Sequence, residues 1–321
     1  MESHKIIFSF TFSLTLIFIF TCFIRSGSAC TICTVSSGEK VLFGNNEDWT
    51  NPNTYIWFEL SNEEKFGGVY LGFDDFFPQG GMNEYGLCFD ANALPKMTLN
   101  NHPELPYSQK WIVKHILELC ANISQVIQVA QEFNWGTSIA YQVQFADMFG
   151  DAIVISAGTD GELNFTRKNV GDGFLLSTNF NVGYPKNGWI PCWRYTIAFD
   201  MLSDIAQEDN LTVEAIRDIL NATHQEGTYA TKYSNIFDLI TRDIYIYQNF
   251  NFKKVVKLNL DKELAKGNEN PILISDLFSQ TTTKILNKTT QETQTETTQE
   301  VPLLFYLSSL IIIFLIRRRF R

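Results

Sequence analysis

Residues 26–49 read SGSACTICTVSSGEKVLFGNNEDW, and this stretch decides how the rest of the chain is to be read. It opens on small residues that follow an apolar run. It then places two cysteines three apart, at Cys30 and Cys33, ahead of two β-rich runs split by Ser36-Ser37-Gly38 and closed by an Asn-Asn-Glu-Asp cluster. Upstream, residues 5–24, KIIFSFTFSLTLIFIFTCFI, are a lysine followed by a long apolar run. A basic start, an apolar body and an A-x-A-like end are the marks of a secretory signal cut after Ala29. Residues 1–29 are therefore expected to be removed, leaving Cys30 first; an uncleaved anchor is the competing reading, since the run is long and Arg25 follows it.

The other end is apolar as well. VPLLFYLSSLIIIFLI, residues 301–316, precedes RRRFR, which predicts one membrane span with a basic cytoplasmic tail at 317–321. Between span and globule, residues 280–300 are Thr/Gln/Glu-rich and carry few core-forming side chains, so a disordered stalk is expected there. The chain would then be exported and held on the extracytoplasmic face by its C-terminal helix. Of 321 residues, 45% are hydrophobic and 19% charged, enough apolar content to build a core across 30–279. A net charge of -10, with no basic stripe outside the last five residues, argues against a nucleic-acid partner.

Between 31 and 90, short β-rich runs divided by turn residues predict five strands: TICTVSS, EKVLFGNN, YIWFELS, GVYLGF and GLCFDAN. SQKWIVKHILELC and ISQVIQVAQEF have helical apolar spacing, with Ser108 and Asn122 as N-caps. Strands resume at 138–168, where TDGE between alternating runs signals a hairpin. CWRYTIAFDMLSDIAQ and TVEAIRDILNAT read as two more helices, and DIYIYQNFNFKKVVKLNL as two closing strands. Sheets interleaved with helix pairs, without regular strand-helix alternation, give a layered α+β domain.

The six cysteines lack framework spacing, and cutting after Ala29 leaves an odd five, which suggests a free thiol with a role. A chain that begins at Cys30 has an α-amine beside that thiol. With a reference pKa of about 7.7–8.0, part of the amine is unprotonated near neutrality and can take the thiol proton. Other classes remain open on the residues alone: CTIC as a C-x-x-C redox or metal pair, or a surface binding domain without catalysis. A Cys–His pair would draw on His102, His115 or His224. Read by themselves, Asp48 is a turn former, Asn92 and Asn179 are turn residues on polar loops, and Arg194 a surface ion-pair partner.

CTICTVSSGEKVLFGNNEDW, GGMNEYGLCFDANALP (80–95), LSTNFN (176–181), and CWRYTIAFDML followed by THQEGTYATKYSNIFDL occur in an order and spacing that resemble N-terminal-nucleophile (Ntn) hydrolases of the choloylglycine hydrolase and penicillin V acylase group. These are the linear-amide C–N hydrolases, and the likeness spans about residues 30–278. The resemblance implies a four-layer αββα sandwich whose nucleophile opens a central strand. It implies Cys30 as the nucleophile, Asp48 orienting its amine or thiol, Asn179 and Asn92 as oxyanion donors, and Arg194 as an active-site arginine. Asn92 is offset by about one residue from the family's position. Asn45 stands where bile-salt-type members usually have arginine, which weighs against a bile-salt substrate. The implied reaction is hydrolysis of a small linear amide through a thioester, or acyl transfer by the same intermediate, with no cofactor. The implied partners are the small-molecule amide and the membrane; a homo-oligomer is compatible with the sequence.

Overall fold

In the computed structural model, residues 30–168, 173–185, 192–208 and 210–279 are described. The expected signal at 1–29, stalk at 280–300, span at 301–316 and basic tail at 317–321 lie outside them. Among the described residues, no helix is long and apolar enough to cross a membrane. By contacts the chain divides into two units, Met1–Ser275 and Asp276–Arg321, and everything below concerns the first.

Six strands occupy the first third of the unit: β1 Thr31–Ser37, β2 Lys40–Asp48, β3 Thr54–Glu59, β4 Gly68–Phe73, β5 Pro78–Asn83 and β6 Cys88–Thr98. The sequence predicts five; the additional one is β5, PQGGMN, which lacks the β-branched run that marks a strand. Its glycines are required by close approach. A Cβ on Gly81 would stand 2.6 Å from the Val69 carbonyl oxygen, and one on Gly80 would stand 2.2 Å from an Asp90 carboxylate oxygen.

Helices α1 Ile112–Leu119 and α2 Ile123–Gln131 follow. Asn122 caps α2 through the Gln125 N–H, as the sequence predicts. The Ser108 hydroxyl is instead hydrogen-bonded to His115 Nδ1 at 2.8 Å, and α1 starts later without a side-chain cap. Strands β7 Ser138–Ala146, β8 Ala152–Ala157 and β9 Leu163–Arg167 include the expected hairpin, with Gly161 at φ 86°. Then come β10 Phe174–Ser177, α3 Trp193–Glu208, α4 Val213–Thr223, β11 Thr231–Asp238, β12 Asp243–Gln248, β13 Val256–Asn259, α5 Leu260–Leu264 and β14 Ile272–Leu273.

These strands form two antiparallel sheets, ordered β10-β1-β2-β11-β12-β13 and β14-β3-β4-β5-β6-β7-β8-β9. Apolar faces set the layers. Helices α1 and α2 cover the larger sheet through a core that includes Val113, Ile116, Leu117, Phe89, Val143 and Phe145. Helices α3 and α4 cover the smaller sheet through Ala198, Leu202, Ile216 and Ile219 against Cys33, Val35 and Ile236. Because strand side chains alternate in direction, the residues between these positions face inward. Phe43 and Phe237 stack there at 6.2 Å, and Gln144 of β7 donates to Thr34 of β1 at 2.8 Å, joining one sheet to the other. The result is helix, sheet, sheet, helix, the predicted α+β sandwich.

Candidate active site

One end of the smaller sheet collects the residues singled out from the sequence. Antiparallel pairing sets Thr31 opposite Asn46, and Asn46 opposite Ser234. The start of β1, the end of β2 and the start of β11 therefore meet, with the end of β10 beside β1 through Ile32 and Ser177. Cys30 stands immediately before β1 and is buried, at 3% exposure.

Asp48, the last residue of β2, is fully buried. It accepts from the Thr231 hydroxyl and from Gln225 Nε2 at 2.9 Å. Its backbone N–H donates to the Cys30 sulfur and favours the thiolate. Burial pushes the Asp48 carboxyl up to about 7 although Thr231, Arg194 and Gln225 hold it down. This is no turn cap, because the strand continues to the residue itself.

Arg194, in the first turn of α3, is 4% exposed and is not a surface ion-pair partner. Its Nη1 donates to the Cys30 carbonyl at 2.6 Å and to Thr31 Oγ1 at 3.1 Å, and lies 4.0 Å from Asp48 Oδ2. Its Nη2 donates to Asn179 Oδ1 at 3.0 Å. That bond fixes which way the Asn179 amide points, and the Nδ2 it turns the other way donates to the Ala93 carbonyl at 2.9 Å.

Asn92 lies inside β6 and is fully buried, so the loop expected there is a strand. Gln142, its cross-strand partner, approaches Asn92 Oδ1 at 3.4 Å and donates to the carbonyls of Thr178 at 2.7 Å and Phe180 at 2.9 Å. Asn92 Nδ2 has no partner. Both asparagines are thus held by their oxygens with the amide nitrogens turned away. Gln142 clamps the two segments that carry them.

The thiol itself is hard to ionise. Burial raises Cys30 well above an ordinary cysteine, and the charges of Glu47, Asp48 and Asp90 raise it further. Glu47 is pushed to about 8, first by burial and then by Asp48, while Asn45 and Cys30 hold it down. Asp90 is raised well above the carboxylate range by burial and by Glu47. Cys33 does not share this environment: it belongs to the core under α4, and burial lifts it to about 12. The two sulfurs of CTIC sit on opposite faces of the sheet, and among the described residues no cluster of three His, Cys, Asp or Glu side chains could hold a metal. The described histidines are engaged elsewhere, His102 with Glu162, His115 with Ser108 and His224 with the Asn221 carbonyl.

The structure therefore joins Cys30, Asp48, Arg194 and Asn179 by direct contacts and ties Asn92 to them through Gln142 and Ala93. Sequence reasoning missed Gln142, Thr231, Gln225, Glu47 and Asp90. Strand alternation was the available signal for Glu47, since Phe43, Asn45 and Glu47 fall on the inward face of β2. Nothing local marks Thr231 or Gln225, which reach Asp48 from 183 and 177 residues away.

The family model described as acyl-coenzyme A:6-aminopenicillanic acid acyl-transferase matches residues 35–188, a span that holds Asp48, Asn92 and Asn179 and begins five residues after Cys30. No curated protein sequence matches the chain. Among solved structures, penicillin V acylase from Agrobacterium tumefaciens is 14% identical with a TM-score of 0.59, covering 75% of this chain and 90% of that one. A mutant of the conjugated bile acid hydrolase from Clostridium perfringens is 16% identical with a TM-score of 0.56, covering 76% and 96%. A second variant of that hydrolase gives 16% and 0.57. At these identities the likeness is one of fold.

Proposed function

We propose that this chain, which matches the acyl-transferase family model over residues 35–188 and shares its fold with a penicillin V acylase and a conjugated bile acid hydrolase, is an Ntn hydrolase of the choloylglycine hydrolase and penicillin V acylase group that hydrolyses a small linear amide through Cys30 as its N-terminal nucleophile. Removal of residues 1–29 exposes the α-amine of Cys30, which takes the thiol proton. The sulfur attacks the amide carbon, and the tetrahedral oxyanion accepts hydrogen bonds from the side-chain amides of Asn179 and Asn92. The amine leaves with a proton, and water releases the acyl group from the thioester. Asp48 orients the amine, and Arg194 holds the Cys30 carbonyl and the Asn179 amide in place.

The observation that carries this reading is the orientation of the two asparagines. A buried amide nitrogen without a partner costs about 1–3 kcal/mol, so Asn92 Nδ2 is a poor choice for stability and a suitable one for meeting a developing charge. Export by the N-terminal signal and tethering by residues 301–316 are part of the proposal and rest on the sequence at both ends.

A screen of the mature protein against N-acyl amides with chromogenic amines tests it: turnover is expected and should vanish in Cys30→Ala. Acyl transfer is favoured as a second reading by the acyl-transferase description of the matching family model. Adding a free amine acceptor to the same assay separates the two, because only a transferase converts the acyl group to a new amide faster than to the acid.

A further inference from the structure

Resting on the assignment of Cys30 as nucleophile, we propose that Glu47 and Asp90 form a carboxyl pair beside Cys30 that must hold a proton for the thiol to react. The pair thereby sets the upper pH limit of reactivity.

The placement comes from the two sheets. Glu47 lies on β2 opposite Tyr233 of β11 and is 3% exposed; Asp90 lies on β6 of the other sheet and is 1% exposed. Glycine at position 80 leaves the space that the Asp90 carboxylate fills. Glu47 Oε2, Asp90 Oδ2 and the Tyr233 hydroxyl are all buried without a hydrogen-bond partner. Two carboxyl groups buried in one layer, with acceptor oxygens left over, do not both ionise readily, because each charge loses its hydration and meets the other.

Among the described side chains facing the pair none brings a cation, so the compensating charge there is the α-amine that cleavage gives Cys30. Cys30 faces it from just before β1, Asn45 and Asp48 from β2, and Tyr233 from β11. Arg194 reaches this end of the sheet, but its contacts are the Cys30 carbonyl, Thr31, Asn179 and Asp48. His224 acts on Asp48 as well. Burial and these neighbours leave Glu47 titrating at about 8, and burial followed by the Glu47 charge holds Asp90 well above the ordinary carboxylate range. Below that range the pair is largely protonated and nearly neutral toward the sulfur. Above it, the pair carries negative charge beside the sulfur, and both the thiolate and the tetrahedral oxyanion are disfavoured. Rising pH thus acts on the nucleophile in two opposed ways, ionising it directly and charging its surroundings.

The test does not need a substrate. Alkylation of the mature protein by iodoacetamide, followed by mass spectrometry of the N-terminal peptide across pH 5–10, reads the ionisation of Cys30, with Cys192, which is partly exposed, as the internal control. Glu47→Gln and Asp90→Asn each keep the shape and remove a charge. Each is expected to raise the Cys30 rate near pH 9 by about tenfold, one unit of thiol ionisation, with Cys192 unchanged. Glu47→Asp, which keeps the charge, should restore the wild-type profile. Cys30 rates within twofold of wild type in both neutral variants, folded by circular dichroism, would overturn the proposal. So would a Glu47→Asp profile matching that of Glu47→Gln. A changed alkylation profile with no Cys30-dependent turnover on any amide would keep the carboxyl pair and reject the enzymatic reading; turnover with an unchanged profile would do the reverse.

Discussion

Asp48 takes two hydrogen bonds from side chains far away in sequence, sits 4.0 Å from a buried guanidinium and donates its own N–H to the Cys30 sulfur. In the proposed mechanism a group so placed orients the reacting atoms without touching the rest of the substrate. Asp48→Asn is therefore expected to lower kcat by at least about tenfold, ~1.4 kcal/mol, with KM within about twofold of wild type. Steady-state kinetics on the best amide of the screen read this directly; a loss carried by KM would place Asp48 in substrate binding instead. Much of this site was legible residue by residue. Cys30 follows from the small residues before it, and Asp48, Asn179 and Arg194 from motif order. The partners that hold them were not legible, because a side chain such as Thr231 or Gln142 acquires its role only when distant strands pair.

Among the elements, strands with alternating or continuous apolar runs and helices with clear periodicity were readable. The strand β5 was not, because its glycines answer to backbone and carboxylate neighbours that the local sequence does not reveal. Asn92 was misplaced for a related reason: a polar residue inside β6 faces the layer between the sheets, where polar side chains are gathered around Cys30. Close approach also governs the helix layer. A Cβ at Gly44 would lie 2.7 Å from Ile216 Cγ2 and 3.3 Å from Cys33 Sγ, so α4 rests almost on the backbone of β2. Gly44→Ala is expected to destabilise the protein by about 1–3 kcal/mol, the usual cost of overpacking. In a double-mutant cycle, Gly44→Ala combined with Ile216→Ala should cost clearly less than the sum of the single changes, since the second removes the clash created by the first. Chemical denaturation of the four proteins measures it, and strict additivity would mean that the helix shifts to accommodate the methyl.

For the whole molecule, the buried carboxyls give stability a pH dependence of definite sign. Glu47 and Asp48 titrate at about 8 and about 7 in the folded protein, above their ordinary values of 4.5 and 3.8. Between the ordinary values and these, the folded protein binds more protons than the unfolded chain, so stability falls as pH rises through that window. The thermal midpoint is expected to be lower at pH 8 than at pH 5.5, and Glu47→Gln should flatten the slope; a midpoint that rises over this interval would contradict the burial of ionisable pairs described here. Every residue assigned to the site lies within 30–279, so a chain ending at residue 279 is expected to be soluble and as active as the full one. Failure of that chain to fold would move the domain boundary.

The account depends most on where the mature chain begins, because a nucleophile with even one residue before it carries an amide in place of the amine that serves as its base. Mass spectrometry of the N-terminal peptide of the protein purified from its native source, paired with turnover of the same sample, measures this. The account predicts Cys30 as the first residue, loss of turnover in Cys30→Ala with its cleavage intact, and retention in Cys33→Ala. An active protein whose chain still begins upstream of Cys30, or one that begins at Cys33 and tolerates Cys30→Ala, would contradict it.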